Sequence, residues 1–242
     1  MNPVLFILQA AAAQTLHSWS PIHEGPDSPF RFVVKIFKAE YFLCLGALYQ
    51  EDLVITTATH IRLSKTLYTV YVPISNITHL NHVPFSIAGI EIHEANQNIP
   101  FTPKADLALI KLKRETVYPT GLNLDYGKLG ANTGHSMFMV GWAREEIDFE
   151  MTDIAVQLNL PIHDPDDCAR LNKGKWDPRV ELCAGHAKVN HDAFYFLNGT
   201  PCSAAAMADT TWSACTRGGR ETLITTSPVS SPASLHSAAG LI

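Results

Sequence analysis

The chain has 242 residues, of which 46% are hydrophobic and 17% charged, and its formal net charge is −5. This apolar content excludes a disordered chain and suits one large domain or two small ones. No run reaches the roughly 18 consecutive apolar residues of a membrane span, and mild acidity argues against a basic nucleic-acid-binding surface. We therefore expect neither a membrane nor a nucleic acid as partner.

The first residues, MNPVLFILQAAAAQ, place small residues directly after an apolar stretch. This order predicts a signal peptide over residues 1–13, cleaved near Ala13, followed by an N-terminal segment over 14–29. A secreted, extracellular protein would follow. The alternative is the start of a buried strand or helix.

From Arg31 onward the chain consists of short runs rich in β-branched and aromatic residues, separated by Pro, Gly, Asn and Asp. Eight runs have strand length: FRFVVKIF, YFLCLGALY, DLVITTA, LYTVYVPI, FSIAGIEI, ADLALIKL, SMFMVGWA and TDIAVQLNL. Stretches with helical period are scarce, so the pattern predicts an all-β sandwich or barrel. From Ser203 onward Ala, Ser, Thr and Gly dominate and the strand pattern stops.

Four segments carry a family resemblance: FLCLGALYQEDLVITTATHI at 42–61, ADLALIKL at 105–112, VGWA at 140–143 and ELCAG at 181–185. In this order and spacing they resemble the trypsin/chymotrypsin-like serine proteases. The resemblance implies an all-β fold of two barrels over residues 30–201, with a boundary near residue 122. The second barrel would be left incomplete after Pro201 if the tail over 202–242 is authentic.

The resemblance assigns three catalytic positions. His60 falls on the general base and Asp106 on the carboxylate that orients it. Asn198 falls on the nucleophile position, within Asn198-Gly-Thr-Pro. A carboxamide has no proton whose removal gives a competent nucleophile, so the resemblance implies an inactive homologue.

Neighbouring positions of the family motif also differ. Leu197 stands where active members carry the aspartate that pairs with the new amino terminus on activation. The oxyanion hole would be formed by the backbone N–H groups of Phe196 and Asn198. Asp192 falls on the substrate-binding position for basic side chains, although an ordinary solvated loop carboxylate is the alternative.

The five cysteines are an odd number, so at least one lacks an intramolecular partner. The resemblance pairs Cys168 with Cys183. It leaves Cys44 either as a buried free thiol or paired elsewhere, because Ile61 replaces its family partner. The pairing of Cys202 and Cys215 stays open.

Asn76-Ile-Thr and Asn198-Gly-Thr are glycosylation sequons, and we predict glycosylation at Asn76, since the second sequon would lie in the cleft. His79 and His82 have the spacing of metal ligands, but two ligands do not make a metal site. We predict neither a metal nor a cofactor.

The tail poses a reading-frame question, because the family ends in strands and a helix where this chain is rich in Ser, Ala and Thr. Residues 202–219, CSAAAMADTTWSACTRGG, permit codons that read LFCSGNGRHYLVGLYTRG one frame over. This alternative has a cysteine and a strand at family-like positions. It indicates a frameshift after Pro201, with an authentic disordered tail as the alternative.

The predicted function is that of a secreted serine protease homologue without peptidase activity. It would bind a protein or peptide in its cleft, such as a protease, a substrate or an inhibitor. The alternative is an active serine-type endopeptidase with a displaced nucleophile, for which Ser203 is the nearest serine. A product of a broken gene, without function, is the third reading.

Overall fold

The computed structural model describes residues 19–21, 30–61, 67–74, 81–96, 105–116, 123–124, 136–142, 155–171, 183–185, 199–204, 211–218 and 223–226. Strands predominate in it. The strands of the first half are β1 (Trp19–Pro21), β2 (Val33–Lys38), β3 (Tyr41–Gln50), β4 (Leu53–Thr56), β5 (Tyr68–Ile74), β6 (Asn81–Ile92) and β7 (Ala108–Leu112). Those of the second half are β8 (Asn123–Leu124), β9 (Ser136–Gly141), β10 (Val156–Pro161), β11 (Pro201–Ala204), β12 (Thr211–Gly218) and β13 (Leu223–Thr226), with one helix between them, α1 (Pro165–Leu171).

The first half forms a closed barrel in the order β2-β3-β4-β7-β6-β5, in which every neighbouring pair is antiparallel. Closure removes the unpaired strand edges that an open sheet would expose. Alternate residues point inward because side chains in a strand alternate between its two faces. Fully buried side chains that line this interior include Val34, Ile36, Val54, Val70, Val72 and Ile110.

Among the described residues, β1 and the strands of the second half form an open sheet in the order β1-β10-β9-β11-β12-β13, with β8 paired in parallel to β12. Its β9 and β10 are joined by a six-residue antiparallel register from Val156↔Gly141 to Pro161↔Ser136. The predicted all-β class is therefore confirmed; of the two predicted barrels, the described residues show the first as a closed barrel and the second as a partial sheet.

The sequence pattern predicted that strands stop from Ser203 onward, but the described part of the chain contains three strands at or after Pro201. Residues Pro201–Ala204 pair with both β9 and β12, and β12 pairs with β13. Thr211–Gly218 and Leu223–Thr226 contain β-branched and aromatic residues, which favour strands, and the surrounding Ala and Ser hid this preference in the sequence.

The helix α1 has local signals at both ends. Pro165 begins it, and the Asp164 side chain accepts a hydrogen bond from the backbone N–H of Asp167 at 2.8 Å, which caps the free amide end. Arg170 in the last turn pairs with Asp167. No helix in the described part of the chain is long and apolar enough to cross a membrane.

The two sheets share one apolar core. Val140, Trp142 and Ala155, which belong to β9, β10 and the residues beside them, pack in the same buried cluster as the barrel residues. The ring of Trp142 lies under the Lys35 ammonium, with 3.8 Å between Nζ and the ring centroid. The barrel and the open sheet are therefore held together by packing as well as by the chain.

Candidate active site

Two loops meet at one end of the barrel because β4 and β7 are antiparallel neighbours. Thr56, the last residue of β4, pairs with Ala108, the first residue of β7. His60 follows β4 by four residues and Asp106 precedes β7 by two. The pairing therefore brings these two predicted catalytic positions to the same barrel end.

Asp106 is only 3% exposed and its carboxylate is held by the loop that carries His60. Its Oδ1 accepts a hydrogen bond from the backbone N–H of Thr59 at 2.7 Å. Its Oδ2 accepts one from the Thr59 hydroxyl at 2.6 Å. Burial raises the pKa of Asp106, while the Thr59 donors, the backbone N–H of Ala58 and nearby His60 act in the opposite direction.

The backbone just before Asp106 adopts an uncommon conformation. Ala105 has a φ of 46°, in the left-handed region that residues with a Cβ rarely adopt. Its carbonyl accepts hydrogen bonds from the backbone N–H of Leu107 at 2.8 Å and from the Asn96 side chain at 3.1 Å. These contacts fix the turn that directs Asp106 inward.

His60 is exposed to solvent, whereas its partner Asp106 is buried. Loss of solvent around the imidazole lowers the pKa of His60 below its ordinary value, and the attraction of Asp106 opposes this change. The pair thus combines a solvent-accessible imidazole with a buried carboxylate, which is the arrangement needed for a general base and its orienting partner.

Gly199 joins the second half of the chain to this barrel end. Its φ is 78°, and a Cβ placed on it would lie 2.0 Å from the Leu45 carbonyl oxygen and 2.8 Å from Thr56 Oγ1. The Thr56 hydroxyl itself donates to the Leu45 carbonyl at 2.6 Å. Only glycine fits here, on both conformational and steric grounds.

Cys44 lies beside this junction as a buried free thiol, so of the two alternatives for Cys44 the structure has the free one. Its Sγ is 3.7 Å from Thr56 Oγ1. Burial raises the pKa of Cys44 to about 12. The thiol is therefore protonated at neutral pH and is no candidate nucleophile.

The disulfide that the family resemblance implied is present between Cys168 and Cys183, with 6.0 Å between their Cα atoms. It fastens α1 to the short segment 183–185. A β-bridge between Ile162 and Ala184 and a hydrogen bond from the His163 backbone N–H to the Cys183 carbonyl join the same two segments.

Several predicted site residues lie outside the described residues: Asn76, Asp192, Phe196, Leu197 and Asn198. Within the described ranges, no three His, Cys, Asp or Glu side chains lie close enough together to hold a metal ion.

Sequence reasoning missed Thr59, whose hydroxyl and amide both bind Asp106. One signal was available in the sequence. Thr59 directly precedes His60, so a carboxylate that pairs with His60 also lies near the Thr59 hydroxyl. The left-handed Ala105 left no signal, because alanine has no preference for that conformation.

The comparisons with known proteins agree with this geometry. The family model for trypsin matches residues 21–195, well over half of the chain. The chain is 23% identical over 162 residues to granzyme B(G,H) of Mus musculus, a match that covers 66% of this chain. It covers 64% of that relative, so the chain spans less than two thirds of the length of the curated relative it matches.

Two solved structures share the fold. Neuropsin, a serine protease expressed in the limbic system of mouse brain, superposes with a TM-score of 0.71 at 17% identity, over 87% of this chain and 95% of that one. Kallikrein-related peptidase 10, in complex with Zn²⁺, gives a TM-score of 0.66 at 19% identity, over 91% and 98% of the two chains. By its matched sequence and its fold, the chain belongs to the trypsin family of serine proteases.

Proposed function

We propose that this protein is a secreted serine protease homologue that binds a protein or peptide in its cleft without cleaving it. The observation that carries the proposal is the position of Gly199 against Leu45 and Thr56, at the barrel end that also holds His60 and Asp106. The residue bonded to Gly199 on its amino side is Asn198.

The chemistry follows from the residue type. An active enzyme of this family needs a hydroxyl whose proton passes to the imidazole as the oxygen attacks the substrate carbonyl. Asparagine offers neither an acidic proton nor a nucleophilic oxygen. Loss of the nucleophile alone costs on the order of a million-fold in turnover.

The alternative of a displaced nucleophile at Ser203 is disfavoured by the sheet. Ser203 is paired with Phe138 of β9 on one side and with Trp212 of β12 on the other. Ser203 could take the place of Asn198 only through a different path of this segment, and that path would break the ladder hydrogen bonds on both sides of Ser203.

Retention of the fold and of the His60–Asp106 pair supports a role in binding. A polypeptide in the cleft, from a protease, a substrate or an inhibitor, suits a chain that keeps the surface of a protease without its nucleophile. Secretion is supported by the Cys168–Cys183 disulfide and by the apolar start of the sequence. Asp192 as a contact for basic side chains, the oxyanion hole at Phe196 and glycosylation at Asn76 stay predictions.

The decisive experiment is labelling of the purified full chain with a fluorophosphonate probe, which reacts with activated serines. We expect no labelling and no hydrolysis of peptide substrates. Labelling that the His60→Gln variant abolishes would overturn the inactive assignment, because it would demonstrate a serine activated by this imidazole. In parallel, calorimetry with a small protein inhibitor of trypsin-like enzymes tests binding in the cleft, and we expect a complex whose inhibitor stays intact.

The Asn198→Ser variant separates loss of the nucleophile from loss of the activation mechanism. We expect no measurable turnover from it, because Leu197 supplies no carboxylate to pair with a new amino terminus. Turnover by this single variant would show that the oxyanion hole forms without that ion pair.

A further inference from the structure

We propose that Thr59 is a positioning residue that holds the Asp106 carboxylate in the orientation facing His60. The inference rests on the proposed function only in taking His60 as the base position and Asp106 as its partner. It does not depend on whether the chain has a nucleophile.

The contacts define a clamp in which Thr59 supplies one donor to each carboxylate oxygen, and the backbone N–H of Ala58 supplies a further donor. Thr59 gives its backbone N–H to Oδ1 at 2.7 Å and its hydroxyl to Oδ2 at 2.6 Å. With both oxygens held, the carboxylate cannot rotate about its last side-chain bond without breaking a hydrogen bond. Because Asp106 is 3% exposed, bulk water cannot readily replace a donor that is lost.

The clamp determines which direction is left for the imidazole. Each carboxylate oxygen accepts about two hydrogen bonds, so the two oxygens together keep about one site after binding the Thr59 amide, the Thr59 hydroxyl and the Ala58 amide. Thr59 is also covalently bonded to His60. The same residue therefore fixes the carboxylate and tethers the ring that the carboxylate attracts.

The clamp has a measurable consequence at His60. Without the hydroxyl, Asp106 loses a donor that favours its ionised form and gains freedom to turn away. The carboxylate would then attract the protonated imidazole less strongly. Among the described residues, the titratable groups that interact electrostatically with Asp106 are His60 and Cys44. With its pKa raised to about 12, Cys44 stays neutral across the titration of His60.

The test is an NMR titration of the His60 imidazole in the full-length chain, with the resonance assigned through its loss in His60→Gln. Thr59→Val keeps the shape of the side chain without the hydroxyl, and Thr59→Ser keeps the hydroxyl without the methyl group. We expect Thr59→Val to lower the His60 midpoint by roughly half a pH unit or more, and Thr59→Ser to leave it unchanged. Asp106→Asn should lower it at least as far.

The matched internal control is His163, whose Nε2 lies 2.7 Å from the Gly185 carbonyl oxygen beside the disulfide. At a fixed pH its ring resonances should be at the same positions in all variants, because its contact partner lies in a segment that the substitutions do not touch. A wild-type midpoint for His60 in Thr59→Val would overturn the proposal. Equal shifts in Thr59→Val and Thr59→Ser would also overturn it, since the hydroxyl would then be irrelevant.

A second measurement needs no variant. The Thr59 amide lies outside any strand, yet its bond to Asp106 should protect it from hydrogen exchange, and rapid exchange would contradict the clamp. Fluorophosphonate labelling, which tests the proposed function, reports on the nucleophile and leaves these readouts unaffected. The two proposals can therefore fail separately.

Discussion

Gly199 shows at the scale of one residue how the two halves of the chain depend on each other. We predict that Gly199→Ala lowers the free energy of unfolding by about 2–4 kcal/mol, from left-handed strain and from contact with a backbone oxygen. That oxygen belongs to Leu45 and lies 2.0 Å from the added Cβ, so no side-chain rotation relieves the contact. Urea denaturation of both proteins measures the difference.

The matched control is Gly89→Ala on β6, where the added Cβ would meet only Lys111 Cβ at 3.9 Å, an ordinary contact distance. We expect a change there within about 1 kcal/mol of zero. Equal costs at both glycines would contradict the tight junction.

His60 should make stability depend on pH. Its folded-state pKa lies below its ordinary value near 6.5, so the folded chain binds fewer protons than the unfolded chain just below that pH. Stability from this residue is therefore present above about pH 6.5 and is lost as the pH falls through that value toward the lower folded-state pKa.

We predict that wild type loses more stability than His60→Gln between about pH 7 and pH 5, as measured by urea midpoints at matched ionic strength. Only the difference between the two proteins is interpreted, because it cancels the other histidines. Parallel curves would mean that the imidazole is as well solvated in the folded chain as in the unfolded one.

At the scale of elements, the Cys168–Cys183 disulfide closes a loop of 15 residues that includes part of α1. A crosslink that closes a loop of this length reduces the conformational entropy of the unfolded chain. This raises the free energy of the unfolded state by about 3 kcal/mol. We predict that the double variant Cys168→Ala/Cys183→Ala loses about that much unfolding free energy in guanidinium denaturation. Cys44→Ala is the control, since it removes an equally buried sulfur that forms no disulfide. A cost no larger than that of the control would exclude a stabilising crosslink.

The elements also show what could be predicted from the sequence. All eight predicted runs contain strands, because alternation of inward and outward side chains leaves a clear pattern in a barrel. The strands β12 and β13 were not predicted, because the surrounding sequence is rich in Ser and Ala, and these residues do not distinguish a strand from a loop. The Thr59 contact with Asp106 joins residues 47 positions apart, and no local pattern encodes such a contact.

At the scale of the whole molecule, six described strands close into a barrel, whereas the described strands of the second sheet do not close into one. The strand β12 covers Thr211–Gly218, the positions at which the alternative frame reads YLVGLYTR. In that frame the strand would have Tyr, Leu and Val where the written chain has Thr, Trp and Ser. Thr211 and Trp212 already suit a strand, whereas a Val in place of Ser213 favours the strand more strongly and adds apolar surface for a core.

We propose that the natural protein continues in the alternative frame after Pro201. Trypsin digestion of material from the native source should then release HYLVGLYTR, because the alternative frame places arginine directly before and at the end of this peptide. The chain as written should instead give a peptide ending in TTWSACTR. Mass spectrometry distinguishes the two, and sequencing of the transcript across the Pro201 codon is the independent check. Detection only of the peptide that ends in TTWSACTR would establish the tail of the given sequence and overturn this proposal.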